Sequence, residues 1–467
     1  MEASNHIIGF SPASHSFVFL CIKEMETAAA IACRPTTILT SCISTTHIKR
    51  ISLPKSFFPS LSHSQIQLPR TRKQPKLCHC LPQRDLGSNS STEASSESRE
   101  SVEPKSPIPN ALSPTIPSST LSSCSAGLVF DESPEPCWDC GSVGSPVVKR
   151  YISDDKERWL MWYASADSIG LAASNNGVHW ERGSGAVENG GDVGQVMQPG
   201  NDWWVFDTGR IEPSDVLIMS SSKLRAASAV YWLYYTGYNP VEVEIPRGGK
   251  VFQSLPGLAI SQDGRHWARI EGDHHSGALM DVGAEGEWDS LFIAMPKVIY
   301  HERGDLRMYY HSFDTNSGSY AIGIARSRDG IRWVKLGKVL CGRAAGSFDE
   351  AGVCNGHVVR DQKAGRYIMV YEGVSSDGKT SIGLAESVDG LKNWRQCGDK
   401  PILGPSVEED AWDNQRVGSP CLIQMDGDDE WRLYYSGNGR GGRTGIGMAI
   451  SEGADLGSFK KWKGFQI

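Results

Sequence analysis

No apolar run in the chain approaches the roughly 20 residues that a membrane-spanning helix needs, so no membrane span is predicted. A basic excess is also missing. Lysine and arginine number 47 against 54 acidic residues, a formal charge of −7. Nucleic-acid recognition asks for a clustered positive surface, so no such partner is expected. Helical 3.6-residue periodicity is absent from the C-terminal three quarters, which excludes a helical solenoid. Partners for cysteine chemistry are missing too. Of twelve cysteines, six (Cys21, Cys33, Cys42, Cys78, Cys80 and Cys124) precede residue 127. Cys137-Trp138-Asp139-Cys140 is a lone C-x-x-C with no second pair, which carries neither a zinc centre nor a redox motif. Cys341, Cys354, Cys397 and Cys421 stand singly and read as small core residues. No metal or cofactor is expected.

Acidic residues are scarce at the start. Residues 1–80 hold nine Lys/Arg against three acids and are rich in Ser and Thr. That composition predicts an organelle transit peptide, plastid rather than mitochondrial because no Arg-rich amphipathic pattern is visible. The expected location is the chloroplast stroma. Met25-Glu26-Thr27-Ala28 offers a second start. Residues 81–126 are Ser-, Pro- and Glu-rich with few aromatics, and predict a disordered linker.

What fills residues 127–467 is repetition. An aromatic followed by aspartate recurs as Trp138-Asp139, Phe206-Asp207, Trp288-Asp289, Phe348-Asp349 and Trp412-Asp413. Six or seven residues later a proline opens an apolar strand, at Pro146, Pro213, Pro296 and Pro420, with Gly356 in the fourth copy. An aromatic strand follows at 159–163, 231–235, 306–310, 367–371 and 431–435. A Gly-[Leu/Ile/Met]-Ala-x-Ser strand closes the pattern, ending at Ser174, Ser261, Ser327, Ser387 and Ser451. Asn-Gly or Asp-Gly turns and a tryptophan come next in the first four copies, and such dipeptides are strong hairpin signals. Trp462 is expected on the fourth strand of the last copy.

Those serines are 87, 66, 60 and 64 residues apart. Four strands per copy at that period predict a propeller blade, and five copies predict an all-β, five-bladed β-propeller behind a disordered N-terminal segment. Up-and-down topology then assigns loops to faces. One face receives the Asp-Gly turns and the acidic hairpins at Asp154-Asp155 and around Asp426. The other receives the aromatic-Asp segments, the starts of the innermost strands, the insertion from Asn239 to Pro256, and Arg440-Gly441-Gly442-Arg443. Loops on a rigid scaffold carry function, so the second face is the expected site.

What every copy shares reads as framework; each aspartate is expected to accept backbone N–H bonds at a junction. Deviations from the repeat are the functional candidates. Glu212 precedes Pro213 where the other copies carry Ser145, Met295, Asn355 and Ser419, and Arg210 lies just before it. Glu372 follows Tyr371 where the others carry Ala164, Thr236, His311 and Ser436. His311, Asn355, His357 and Arg416 complete the set of candidate substrate-binding residues with Arg210. Glycoside hydrolysis needs two carboxylates about the sugar, roughly 5–9 Å apart. Glu212 and Glu372 are the candidate catalytic pair.

The blade count, the aromatic-Asp to Pro spacing, the Tyr-Tyr strand and the Ser-x-Asp-Gly turn resemble the arabinanase/levansucrase/invertase superfamily, which includes glycoside hydrolase families 43, 32 and 68. The resemblance implies a carbohydrate ligand, and acids at the starts of innermost strands. Here Ser145-Pro146 stands where it implies an acid in the first blade, and only Glu212-Pro213 keeps the acid-before-proline pattern. Two functions are therefore expected as alternatives. One is a plastid glycosidase or transglycosidase; the other is a non-catalytic propeller that binds a glycan or a plastid protein.

Overall fold

Every regular element among the described residues is a β-strand; tight turns join most strands within a meander, and longer segments such as 271–293 and 398–415 lead from one meander to the next. The computed structural model describes residues 125–134, 137–153, 156–219, 230–245, 249–425 and 429–464. The transit segment, almost all of the linker, and the acidic turn residues Asp154, Asp155 and Asp426 lie outside the described residues.

After β1 (Leu128–Asp131), four antiparallel meanders follow in chain order. The first is β2 (Val143–Ser153), β3 (Lys156–Ser165), β4 (Ser168–Ser174) and β5 (Gly194–Met197). The second is β6 (Arg210–Met219), β7 (Val230–Ile245), β8 (Gly249–Ser261) and β9 (Ala268–Ile270). The third is β10 (Ala294–Glu302), β11 (Asp305–Asp314), β12 (Ser319–Ser327) and β13 (Val334–Cys341). The fourth is β14 (Gly352–Asp361), β15 (Arg366–Val374), β16 (Thr380–Ser387) and β17 (Arg395–Cys397). A last meander comprises β18 (Arg416–Gln424), β19 (Trp431–Asn438), β20 (Thr444–Glu452) and β21 (Asp455–Lys461), and β1 pairs with its β20. Single parallel pairings, Tyr320↔Gly352 and Thr380↔Arg416, join the third, fourth and last meanders into one 13-stranded sheet. Trp462, expected on a strand, follows β21 directly.

The aromatic-Asp pair explains why each meander folds. Tyr163, Tyr235, Tyr310, Tyr371 and Tyr435 donate their hydroxyls to Asp139, Asp207, Asp289, Asp349 and Asp413 at 2.9–3.0 Å. A cation on or beside the outermost strand completes each site: Arg182, Arg269, Lys335, Arg343 or Lys461, at 2.6–2.9 Å. The aspartates were expected to accept backbone N–H bonds; their partners are instead a tyrosine and a cation. The reason is burial. All five are almost wholly withdrawn from water, where a carboxylate needs a counter-charge and not a weak dipole alone. Each aromatic neighbour packs on the same tyrosine with ring centroids 5.5–6.4 Å apart. The marker glycine makes room for that ring: a Cβ at Gly257 would lie 2.4 Å from Tyr235.

The Asp-Gly turns tie neighbouring meanders. Trp162 donates to the Gly264 carbonyl at 2.9 Å, Tyr234 to Gly330 at 3.1 Å, and Tyr309 to Gly390. Tyr434 of the last meander donates to Gly177 of the first at 2.8 Å. The fourth meander carries Val370 at this place, which has no donor. The last meander, which would receive it, lacks the Asp-Gly turn. Donor and acceptor are lost together, so no buried polar group is stranded.

The insertion was expected as a loop. It is a hairpin arm, because β7 and β8 run on together through Glu242↔Phe252 to Ile245↔Gly249. Ile245 and Val251 of this arm pack on Phe292, Met295 and Phe313 of the third meander. Of the four single cysteines expected in the core, Cys354 and Cys421 are buried, Cys397 is half-buried and Cys341 is exposed.

Removing one hydroxyl tests the repeated device. Tyr235→Phe takes a hydrogen bond from the buried Asp207 and should destabilise the protein by about 1–3 kcal/mol. Thermal and denaturant unfolding would measure this; an unchanged midpoint would count against the device as framework.

Candidate functional site

The innermost strand of each meander carries a β-bulge near its start. In four of them one bulge residue is left-handed: Ser145, Met295, Asn355 and Ser419, with φ between 46° and 52°. Such a conformation is strained for non-glycine residues. A side chain from the preceding meander holds each N–H: Ser436 Oγ accepts from Ser145 at 2.8 Å, and Thr236 Oγ1 from Met295 at 2.8 Å. His311 Nδ1 accepts from Asn355 at 3.4 Å, and Glu372 Oε2 from Ser419 at 3.0 Å. The remaining junction pairs Ala164 with Pro213, a residue without an acceptor and one without an N–H. Glu372 and His311 therefore occupy a slot that the fold uses throughout.

Register corrects the expected alignment of Glu212. It pairs with Thr236, as Gly144 pairs with Ala164 and Gly418 with Ser436. Glu212 thus matches Gly144 and Gly418, and Pro213 takes the place of the left-handed Ser145. The proline ring locks φ near −65°, so Pro213 cannot adopt the left-handed bend, and the acid-before-proline match shifts by one residue. Glycine is required at Gly418, where a Cβ would lie 2.2 Å from the Glu372 carboxylate. Beside Glu212 the slot holds only the methyl of Ala164, which leaves room for a long side chain.

The strand starts enclose an open cavity of about 290 Å³ lined by Arg210, Glu212, Glu372 and Arg416, with Ser142, Ser145, Ala164, Ser436 and Asn438. It lies among the loops expected for the second face. Glu212 is ion-paired with Arg210 and takes longer hydrogen bonds, 3.4 Å each, from Ser145 Oγ and Tyr238 OH. Glu372 has a different setting. Burial pushes its pKa up, and the charge of Glu212 adds to this. Bonds from Asn355 and Ser419 and the charge of Arg416 oppose the rise without cancelling it. Both bonds, from Asn355 Nδ2 at 2.7 Å and from the Ser419 N–H, fall on Oε2. A proton on this carboxyl therefore sits on Oε1.

Five of the seven candidates are brought together here: Arg210, Glu212, Asn355, Glu372 and Arg416. His311 lies behind them, packed edge-on against Phe292 and Tyr320; burial lowers its pKa to about 3. It is a neutral acceptor in the junction slot. His357 was expected in the same funnel and is not there. It lines a second cavity, of about 430 Å³, with Lys149, Asp215 and Arg360. It lies two residues along β14 from Asn355, and its Nδ1 accepts from Leu422 N at 3.2 Å.

Sequence reasoning missed Tyr238 and Ser145 as partners of Glu212. Tyr238 follows a Thr-Gly step at the root of the insertion, a visible signal; Ser145 looked like framework. It also missed an ion pair between the half-buried Lys149 and the buried Asp215, at 2.9 Å. Among the described residues one group has metal-ligand proximity, His301, Glu302 and Asp305. Asp305 is already bonded to Arg307 and Arg326, and His301 to Tyr367.

No protein-family model matches the chain. It is 35% identical over 225 residues to the uncharacterized protein Rv1502 of Mycobacterium tuberculosis, covering 47% of this chain and 67% of that protein. The uncharacterized protein MT1551 of another strain of that organism matches with the same identity and coverage. A solved glycoside hydrolase superposes with a TM-score of 0.50 at 14% identity, over 70% of this chain and 91% of its own. At such identity the likeness concerns the fold alone.

The raised pKa of Glu372 has a stability consequence. A group with its folded pKa above the unfolded value contributes stability below the unfolded pKa and loses it as pH rises through the folded one. Glu372→Gln keeps the acceptor oxygen and carries no charge. Its melting temperature relative to the parent should rise as the pH is increased from about 4, near the ordinary glutamate pKa, and level off once the raised folded pKa is passed. A pH-independent difference would refute the buried-carboxyl assignment.

Proposed function

The chain belongs to the same family as the uncharacterized mycobacterial protein Rv1502, and for this member we propose a carbohydrate-active enzyme built on a five-bladed β-propeller. Five meanders with repeated ties, including one from the last meander back to the first, support the blade count. The likeness to a solved glycoside hydrolase supports a relation to the superfamily of families 43, 32 and 68. The observation that carries the reading is a pair of carboxylates in unlike settings on one open cavity. Unlike environments divide acid from base between two carboxyl groups.

In this reading Glu372 is the general acid. Its Oε1 gives a proton to the glycosidic oxygen as the bond from that oxygen to the anomeric carbon breaks. Glu212 acts on the opposite side, as nucleophile at the anomeric carbon or as base toward a water. Arg210 and Tyr238 orient it. An exposed aromatic feature supports a sugar ligand. Trp203 is 92% exposed and Trp204 follows it, in a turn closed by Val205 N to Asp202 O. The corresponding turns carry Glu285-Gly286, Ala345-Gly346 and Glu409-Asp410, so the fold does not need indoles there. Exposed aromatic faces of this kind mark contact sites.

One observation favours the alternative of a non-catalytic binder. Glu212 is neutralised by Arg210, and Glu372 also serves as a junction acceptor, so both carboxylates have structural partners. Kinetics separates the readings. Glu212→Gln and Glu372→Gln should each lower turnover of an oligosaccharide or aryl glycoside about 10²–10⁴-fold. Parent-like rates in both variants would leave the binder. We also propose a plastid location, on the composition of residues 1–80; a fluorescent fusion of that segment that stays in the cytosol would refute it.

A further inference from the structure

Arg210 and Arg416 hold the same register place in two different meanders. Arg210 pairs with Tyr238 and precedes Ile211↔Gly237. Arg416 pairs with Asn438 and precedes Val417↔Gly437. The corresponding residues in the other meanders are Ser142, Phe292 and Gly352, so the backbone does not ask for arginine. The two meanders that have one lie on either side of the first. Both arginines line the same cavity as the small first-meander residues Ser142, Ser145 and Ala164.

The two arginines differ in their partners. Arg210 is paired with Glu212 and lies 5.7 Å from the Tyr238 ring centre. The Arg416 side chain makes no hydrogen bond or ion pair among the described residues, although it lines the same wall as Glu372. A small-walled gap with a spare guanidinium fork at one edge is suited to a planar or tetrahedral oxyanion, which arginine binds through two parallel hydrogen bonds.

We infer that Arg416, opposite Arg210, binds an oxyanion above the small residues of the first meander, and that the ligand is an acidic sugar bearing a carboxylate or a phosphate. The sugar half rests on the proposed carbohydrate function; the oxyanion half stands on the arginine geometry alone.

Small-anion probes test it on the full chain. Melting temperature is measured in sodium phosphate, sodium acetate and sodium chloride at matched ionic strength and pH. Ligand that binds the folded state raises the midpoint by mass action. Phosphate or acetate should raise it by about 2 °C or more over chloride at near-saturating concentration. The rise should vanish in Arg416→Ala and in Arg416→Gln, and persist in Arg360→Ala at the far cavity. A rise with phosphate alone assigns a phosphorylated sugar; a rise with acetate assigns a uronic acid. No rise with either anion, or a rise that survives in both Arg416 variants, overturns the inference. Turnover without an anion effect would sink this inference alone. An anion effect without turnover would sink the hydrolase reading alone.

Discussion

A buried carboxylate that must be answered by both a hydroxyl and a cation underlies the whole fold. Each aromatic-Asp aspartate sits before an innermost strand, takes a tyrosine from the second strand, and meets a cation on or near the fourth. In the fourth meander the cation, Arg343, comes from the segment that leads into it, and Gln396 of β17 donates to Asp349 at 3.0 Å. One ionised group thus ties three separate parts of the chain. Leaving such a charge without its partners costs several kcal/mol, so strands with the wrong register are penalised strongly. The packing follows from the same contact. The tyrosine ring is held flat against the preceding aromatic, and glycine on the third strand is the residue that lets the ring lie there.

Ties between meanders obey a matching rule. Where a donor is missing, the acceptor is missing as well: Val370 faces a meander without an Asp-Gly turn, and Ala164 faces Pro213. These coincidences make sense as satisfaction of buried polar groups, since a single missing partner costs more than a missing pair. They also locate the places where the repeat is free to vary. Ala164 beside Pro213 is such a place, and Glu212 occupies the room it leaves.

The candidate site is therefore a modified junction, and its chemistry is inherited from the junction. Glu372 uses the acceptor slot filled elsewhere by serine, threonine or histidine, and the two N–H bonds that hold it leave one oxygen free. Glu212 is ordered by Arg210 and Tyr238 from its own meander. Different partners distinguish the two carboxyl groups, an arginine for Glu212 and an amide with a backbone N–H for Glu372, while the fold supplies the rigid positions on which any reaction or recognition would depend.

Much of the architecture was legible along the chain. The repeat markers, the aromatic strand and the face bearing the candidate site follow from periods of two residues within strands and of sixty to ninety between copies. Candidates that broke the repeat, such as Arg210, Glu212, Glu372 and Arg416, do converge on one cavity. Three features were decided only by the tertiary structure. The place of Glu212 depended on the register across its bulge, which a proline shifts by one residue without changing the local pattern. His357 separated from Asn355 because a β-bulge intervenes on β14, so that Asn355 bonds Glu372 while His357 lines the second cavity. The partners of the framework aspartates came from strands distant in the chain. Local periodicity is written in neighbouring residues, whereas register and cross-meander partners arise from buried charges and bulges satisfied over long separations, and the chain order does not record them.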